Sequence, residues 1–367
     1  MPPGDIGGLL VRMRVVIVGA GMMGYWHGRE ARRQGAHILG VVDPDEQRAT
    51  RLARALRAPR IAKEATQLLQ PGHIDAVHIC SPVATHTALA ALAIKCGIHS
   101  LVEKPLTESA EETGRLLESA REHAVVLCPV HQIAFQDGVR DAARALQQLG
   151  GVSAIDFRIC SAGGAGRLER ELDAIVAEIL PHPLSVLRKL WPNTPLEPRL
   201  WCLNRPREGE LLLSGQHANA LLTVLISMHG RPPCFEMTIR GERGTVCVDF
   251  FHGFASVQHG GASRARKLFR PFYDAGKLFG AASINLLRRG VRGEPAYPGL
   301  RALIGSFYAA ARGEAPSPID PGDIMAVAIA RDTILAGLLP RTAMHRDRNN
   351  MAISPARSDA RGKSFLP

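Results

Sequence analysis

The chain has 367 residues and a formal net charge of +11; 46% of its residues are hydrophobic and 22% are charged. This length predicts two or three domains, and the composition excludes a chain that is wholly disordered, collagen-like or coiled coil. The longest apolar stretch, residues 88–94, is far shorter than the roughly 18 residues that span a membrane, and residues 1–5 lack the features of a secretion signal.

Strands and helices are predicted to alternate over the first 130 residues. Short apolar, β-branched runs predict strands at 14–18, 37–42, 74–80, 99–103 and 125–130. Helical stretches lie between them, at 25–34, 45–55 and 109–123, with a further one that ends at Cys96. This alternation predicts right-handed β-α-β units and a doubly wound parallel sheet, an α/β Rossmann domain over residues 1–130.

The first predicted strand ends at a G-x-G-x-x-G sequence that opens a helix. Gly19 permits the tight turn, Gly21 lets the backbone approach a pyrophosphate, and Gly24 permits close packing of helix on strand. Met22 and Met23 complete the turn, where the helix N-terminus offers free N–H groups to phosphate. In this context the motif predicts a dinucleotide site.

An acidic residue, Asp43, closes the second predicted strand. Its carboxylate is suited to accept both ribose hydroxyls of NAD and to repel the 2′-phosphate of NADP. Arg48 follows closely in the sequence. NAD is therefore the predicted cofactor, and NADP is not excluded.

Two further motifs lie at the carboxyl ends of strands, where ligands bind in such sheets. They are Ser81-Pro82 and Glu103-Lys104-Pro105. The Lys104 ammonium is suited to donate a proton or a hydrogen bond to a substrate beside the nicotinamide. His86 opens a helix and is interpreted mainly as structural.

The second half changes to antiparallel β structure. Alternating or apolar runs predict strands at 151–160, 211–213, 221–228, 235–240 and 246–250, with a turn at 241–244 and a final helix at 320–337. We expect an α+β domain over residues 131–340 with a large, open, mostly antiparallel sheet. Glu178 and His182 come just before a helix that is predicted to begin near Pro183, and together they are candidates for general acid/base chemistry.

Most of the positive charge is confined to two segments near the C-terminal end. Residues 262–294 hold eight basic and two acidic residues, and residues 341–367 hold six basic and two acidic residues. The segment 341–367 is predicted to be a disordered basic tail. The sequence shows no basic face with interleaved aromatic residues of the kind that stack on nucleic-acid bases. We therefore expect no nucleic-acid partner.

Leu and Phe side chains accompany the basic residues of 262–294. The simplest interpretation is a partly buried surface element whose arginines extend to solvent. A contact with an anionic substrate or with another subunit is the sharper hypothesis, and it is favoured over contact with a membrane surface.

Seven cysteines are scattered between Cys80 and Cys247 without a C-x-x-C pair. An odd, unclustered set argues against a disulfide framework and against structural zinc. We therefore expect a cytoplasmic protein without a metal site.

These motifs together resemble those of the Gfo/Idh/MocA oxidoreductases, over roughly residues 13–260 and 300–338. In addition, Gln132 occupies a family position near the nicotinamide, and Glu178-x-x-x-His182 resembles the family's D-x-x-x-H. The resemblance implies Lys104 and His182 as catalytic residues, with Glu178 at the acidic position. It implies a cofactor site formed by Gly19, Gly21, Met22, Met23, Gly24, Asp43, Ser81, Pro82, His86, Glu103, Lys104 and Gln132.

The implied activity is hydride transfer between NAD(P) and a secondary alcohol or ketone of a sugar, cyclitol or sugar nucleotide, in a homo-oligomer formed through the second sheet. Two alternatives stay open: a redox-neutral lyase or glycosidase-like enzyme that retains NAD, and a non-catalytic NAD-binding interaction protein. The chain departs from the family pattern at Glu178 for Asp, Leu180 for Gly and Ser185 for a second Asp. These departures leave the substrate undefined.

Overall fold

Two β-sheets organise the chain in a computed structural model that describes residues 12–260 and 264–338. The tail predicted at 341–367 lies outside these residues. The strands of the first sheet are β1 (Arg14–Val18), β2 (His37–Val42), β3 (Arg60–Ala62), β4 (Ala76–Ile79), β5 (His99–Val102) and β6 (Leu127–Pro129). They are all parallel and are ordered β3-β2-β1-β4-β5-β6.

Helices cover both faces of this first sheet. The first four are α1 (Met22–Arg33), α2 (Glu46–Leu56), α3 (His86–Lys95) and α4 (Ala110–Glu122). Successive strand residues point to opposite faces, so Val15 and Ile17 pack with α1 and α2 while Val16 packs with α3 and α4. Burial on both sides explains why the strands are continuous apolar runs.

The second sheet has seven strands and is mostly antiparallel. Its strands are β7 (Val152–Cys160), β8 (Cys202–Asn204), β9 (Glu210–His217), β10 (Ala220–Ser227), β11 (Cys234–Gly241), β12 (Gly244–Asp249) and β13 (Phe254–His259). They are ordered β13-β12-β11-β7-β10-β9-β8, and only β7 and β10 pair in parallel. The predicted fold class is confirmed.

Helices cover one face of the second sheet. The remaining helices are α5 (Asp137–Leu146), α6 (Glu169–Ile179), α7 (Pro181–Leu190), α8 (Arg264–Arg292), α9 (Leu300–Ala311) and α10 (Pro321–Leu338). Helices α5, α6, α7 and α10 bury the sheet face that carries Phe157 and Met237. The other face is open and carries charged pairs such as Arg158 with Glu236. No helix in the described ranges has the length and apolar character needed to cross a membrane.

One feature of the second half, the start of a helix, differs from the expectation. The helix predicted from Pro183 begins at Pro181, so His182 lies in its first turn and not before it. Helix α9 packs its buried residues on the first sheet, beside α1 and α2, although it comes late in the chain. The division into units at 1–130 and 131–340 stays a prediction.

Candidate functional site

The turn between β1 and α1 has the geometry of a phosphate cradle. At Gly24, a Cβ atom would lie 1.9 Å from the carbonyl oxygen of Gly19, so only glycine fits. At Gly21, a Cβ would meet no atom within 4 Å, because that position faces open space. Gly21 is also the N-cap of α1 and supplies no side chain to the first N–H groups of the helix. These free donors and the open space suit a pyrophosphate.

The Asp43 carboxylate is buried beside this turn. Its Oδ2 atom accepts a hydrogen bond from the Ala20 N–H at 2.7 Å, and its Oδ1 accepts one from the Asp45 N–H at 2.9 Å. Arg48 is held elsewhere, since its Nε donates to Oδ2 of Asp45 at 2.9 Å. The carboxylate at the strand end is therefore fixed, while the nearby guanidinium has a partner of its own.

A cavity of about 420 Å³ lies where the strand ends of the first sheet meet α6 and α7. It brings together most of the site residues predicted from the sequence, whereas Gly19, Gly21, Gly24 and Asp43 lie outside its lining. The lining includes Met22, Met23, Ser81, Pro82, His86, Glu103, Lys104, Gln132, Glu178 and His182.

His86 ties two of the motif loops together. Its buried ring has Nε2 at 2.8 Å from the Ser81 carbonyl oxygen and Nδ1 at 2.9 Å from the Pro105 carbonyl oxygen. The ring therefore lies between the loops after β4 and β5 and contacts the backbone of both. This geometry supports the structural interpretation of His86.

Lys104 and His182 both line this cavity. The Lys104 Nζ donates to the backbone carbonyl oxygen of Glu178 at 3.2 Å, while the Glu178 side chain is exposed. Burial, reinforced by the positive charge of Lys104, holds the pKa of His182 well below its usual value. The His182 Nδ1 is buried without a hydrogen-bond partner among the described residues. His182 is therefore a neutral imidazole with a free polar atom.

Behind the cavity, a chain of buried polar groups reaches Glu103. The Tyr308 hydroxyl lies beside His78, the Nδ1 atoms of His78 and His27 are 3.1 Å apart, and the His27 Nε2 lies 3.1 Å from Oε1 of Glu103. Burial alone would raise the pKa of Glu103, but the His27 hydrogen bond and the Lys104 charge outweigh it, so that pKa is lowered. Glu103 is thus an ionised carboxylate that a hydrogen bond from buried His27 holds in place.

A second cavity of about 290 Å³ adjoins the first and shares Gln132, His182 and Tyr297 with it. Most of its wall is apolar, and it includes Ile133, Ile159, Ile179, Phe235, Phe250 and Phe251. The side-chain oxygens of Gln132 and Gln136 are buried there without partners in the described part of the chain. An apolar pocket with a few convergent polar atoms is typical of a small-molecule site.

Sequence reasoning missed several of these residues. Tyr297 lines both cavities, and its hydroxyl lies 3.3 Å from the Met22 sulfur. Neither it nor Tyr308 belongs to a motif, because each joins the site only through folding of distant segments. The alternation in 235–240 placed Phe235 on one face of a strand, but no local pattern indicated that this face borders a cavity.

Comparison with known proteins gives consistent matches. Residues 13–131 match the model of the Gfo/Idh/MocA oxidoreductase family, described as an NAD-binding Rossmann fold. The UDP-N-acetylglucosamine 3-dehydrogenase of Acidithiobacillus ferrooxidans is 34% identical over 265 residues, which are 69% of this chain and 79% of that protein. The scyllo-inositol 2-dehydrogenase (NAD(+)) of Bacillus subtilis is 32% identical over 36% of this chain and 40% of its own length.

The fold is also that of a solved dehydrogenase. The WlbA dehydrogenase from Bordetella pertussis, determined in complex with NADH and UDP-GlcNAcA, superposes with a TM-score of 0.67 at 18% identity. The match covers 90% of this chain and 98% of that one. At this identity the likeness concerns the fold.

Proposed function

Since this chain belongs to the Gfo/Idh/MocA family and is an NAD-dependent oxidoreductase, we propose that it moves a hydride between NAD and a secondary alcohol or ketone of a sugar-type substrate. The observation that carries the proposal is the placement of Lys104 and His182 on one cavity at the strand ends of the first sheet. When bound, NAD supplies the nicotinamide C4 atom that gives or takes the hydride.

The residues present fit a dinucleotide. Gly21 leaves space for the pyrophosphate, and the N–H groups at the start of α1 are free to bind it. We assign the ribose hydroxyls to Asp43, because its carboxylate lies beside the turn before α1. Ser81, Pro82, Glu103 and Gln132 would border the nicotinamide end, since they line the same cavity as Lys104.

We assign proton transfer to Lys104 and His182, which line the same cavity. His182 is neutral because burial lowers its pKa, so its ring is free to take the proton of a substrate hydroxyl. The Lys104 ammonium donates a hydrogen bond to the same oxygen and stabilises negative charge that develops there. Its bond to the Glu178 carbonyl oxygen positions the ammonium. Glu178 contributes its exposed carboxylate to substrate contact.

The substrate class follows from the relatives and from the second cavity. Relatives act on UDP-N-acetylglucosamine and on scyllo-inositol, as their names state. The phenylalanine wall of the second cavity suits the apolar face of a sugar ring or a nucleobase. A sugar nucleotide is therefore the first substrate to test. We further propose a cytoplasmic homo-oligomer that forms through the open face of the second sheet.

The test is turnover measured by NADH absorbance across UDP-sugars and inositols. We expect Lys104→Met and His182→Ala each to lower turnover by roughly 10²-fold or more, the scale of lost general acid/base catalysis. The exposed pair Lys95→Met and His123→Ala serves as the matched control and should keep normal rates. Near-normal turnover in either site variant would remove that residue from the mechanism. Substrate conversion without a net change in NADH would support the redox-neutral alternative.

A further inference from the structure

Helix α8 docks on the protein with its polar side. The Lys277 Nζ donates to the carbonyl oxygen of Val257 on the edge strand β13 at 3.1 Å. Asn285 Nδ2 and Arg289 Nη1 donate to the carbonyl oxygen of His252 at 2.9 Å and 3.0 Å. The spacing of 277, 285 and 289 places these three residues on one side of a helix. That side is bound by hydrogen bonds and not by apolar packing.

The opposite side of α8 is apolar and faces solvent. Phe272, Phe279 and Leu286 recur every seven residues and are 77%, 75% and 74% exposed. The same stripe includes Leu268, Phe269 and Leu287, all exposed. At 1.5 Å per residue the stripe runs for about 30 Å. Large contiguous apolar surfaces are rare on proteins unless a partner covers them. The simple interpretation of 262–294 as a partly buried element is therefore wrong for these side chains.

The net positive charge of the sequence around the stripe favours an anionic partner. Residues 268–292 carry five basic residues and one acidic residue, and residues 264–267, Arg-Ala-Arg-Lys, add three more basic residues to the sequence. Lys277 and Arg289 bind carbonyl oxygens of the protein, and Arg292 pairs with Asp137. Arg270 and Arg288 are exposed. A second copy of α8 would bring like charges together, whereas an anionic lipid surface offers both an apolar layer and opposite charge.

We propose that α8 lies in the surface of an anionic lipid bilayer, with its apolar stripe in the acyl boundary and its polar side against the protein body. This orientation goes beyond hydride transfer and does not depend on it. The orientation also indicates where the second cavity lies relative to the lipid. Phe251 lines that cavity, and the next residue, His252, accepts the hydrogen bonds that hold α8. The second cavity therefore lies close to the lipid surface.

The test is flotation of the full chain with lipid vesicles. We expect binding to phosphatidylcholine vesicles that contain phosphatidylglycerol, and binding at least about tenfold weaker to phosphatidylcholine alone. Raising the salt from about 0.1 M to about 0.5 M should weaken binding several-fold, because screening shortens the range of the charges. Absence of binding to the anionic vesicles would overturn the proposal.

Two double variants test whether vesicle binding depends on α8. Phe272→Ser with Phe279→Ser should reduce vesicle binding by about tenfold or more, because the stripe loses two aromatic side chains that would insert into the acyl boundary. Leu168→Ser with Leu200→Ser is the matched control, since these leucines are also exposed but lie elsewhere, and it should bind normally. Thermal unfolding should be unchanged in both.

Two results would contradict the assignment to a lipid surface. One is vesicle binding that persists in the Phe272→Ser, Phe279→Ser variant. The other is a wild-type dimer in solution that becomes a monomer in this variant, which would assign the stripe to a second copy of the chain. NADH turnover of a soluble substrate should be the same in the variant and the wild type, so failure here is distinct from failure of the proposed activity.

Discussion

The hydroxyl of Tyr308 lies 3.0 Å from Nε2 of His78, although 230 residues separate them in the chain. Burial lowers the pKa of His78 well below its usual value, so this ring is neutral. The chain of contacts is then satisfied when Tyr308 donates to His78, His78 donates to His27, and His27 donates to Glu103. Helix α9 thereby fixes the carboxylate that precedes Lys104.

Removing the first donor of this chain should destabilise the protein. Tyr308→Phe leaves His78 Nε2 buried without a donor, so we expect a loss of about 1–3 kcal/mol in the free energy of unfolding. Denaturant titration measures it. Tyr25→Phe, which removes an exposed hydroxyl, is the matched control. Equal stability of the two variants would show that the network contributes nothing.

Two glycines of the cofactor turn should separate binding from folding. Gly21→Ala adds a methyl group that meets no protein atom, so stability should be unchanged while NAD affinity falls by at least about tenfold. Gly24→Ala forces a Cβ onto the Gly19 carbonyl oxygen and should lower the free energy of unfolding by about 2 kcal/mol or more. Calorimetric titration with NAD and thermal unfolding measure the two effects. Normal NAD affinity in Gly21→Ala would mean that the pyrophosphate binds elsewhere.

Cofactor preference should depend on Asp43 and Asp45 in different ways. Asp43→Ser removes the carboxylate that disfavours a 2′-phosphate, so the ratio of the NADP and NAD dissociation constants should fall by about tenfold. Adding Asp45→Ala releases Arg48 from its partner and should lower the ratio further. The exposed Glu46→Gln is the control. Tighter NADP than NAD binding by the wild type would contradict the predicted preference.

Acid should destabilise the protein through its buried histidines. Burial, aided by the charge of Lys104, lowers the pKa of His131 to about 4, compared with about 6.5 in an unfolded chain. Protonation therefore favours unfolding: this contribution is fully present above pH 6.5 and is lost as the pH falls toward 4. The difference amounts to about 3 kcal/mol.

The matched variants are His131→Gln and the exposed His123→Gln. Between pH 6.5 and pH 4, the free energy of unfolding should fall less steeply in His131→Gln than in the wild type. His123→Gln should keep the wild-type slope. The slope is compared because replacing a buried residue also changes stability at neutral pH. Identical slopes in all three proteins would mean that folding does not change the pKa of His131, which would contradict the prediction.

Short sequence patterns predicted the strands and turns whose formation depends on neighbouring residues. Apolar runs predicted five of the six strands of the first sheet, and the short, exposed β3 was missed. The turn residues after the predicted strands placed Ser81 and Lys104 at the edge where parallel strands end. Period-two alternation placed Phe235 and Met237 on the buried face of β11. The cavity then collects the motif residues because the carboxyl ends of neighbouring strands lie side by side.

Other features depend on contacts that no local pattern records. The His78–Tyr308 bond joins a strand to a helix far along the chain, and a buried histidine in an apolar run has no distinctive spacing. The composition of α8 revealed charge and apolar residues together, but only the fold shows that Lys277 faces the protein and Phe279 faces away. The start of α7 at Pro181 was missed because Pro181 and Pro183 both suit the first turn of a helix.

Helix α9 completes the core of the first sheet with Leu303, Ile304 and Phe307, which are fully buried beside Val15 and Ile17. A ribosome makes these residues only after every strand of both sheets has been translated. While the second sheet is being synthesised, the first sheet therefore keeps part of one apolar face, the part beside α1 and α2, uncovered. A truncated chain that stops before residue 300 should aggregate, and the cofactor-binding sheet should become protease-resistant only at the end of synthesis.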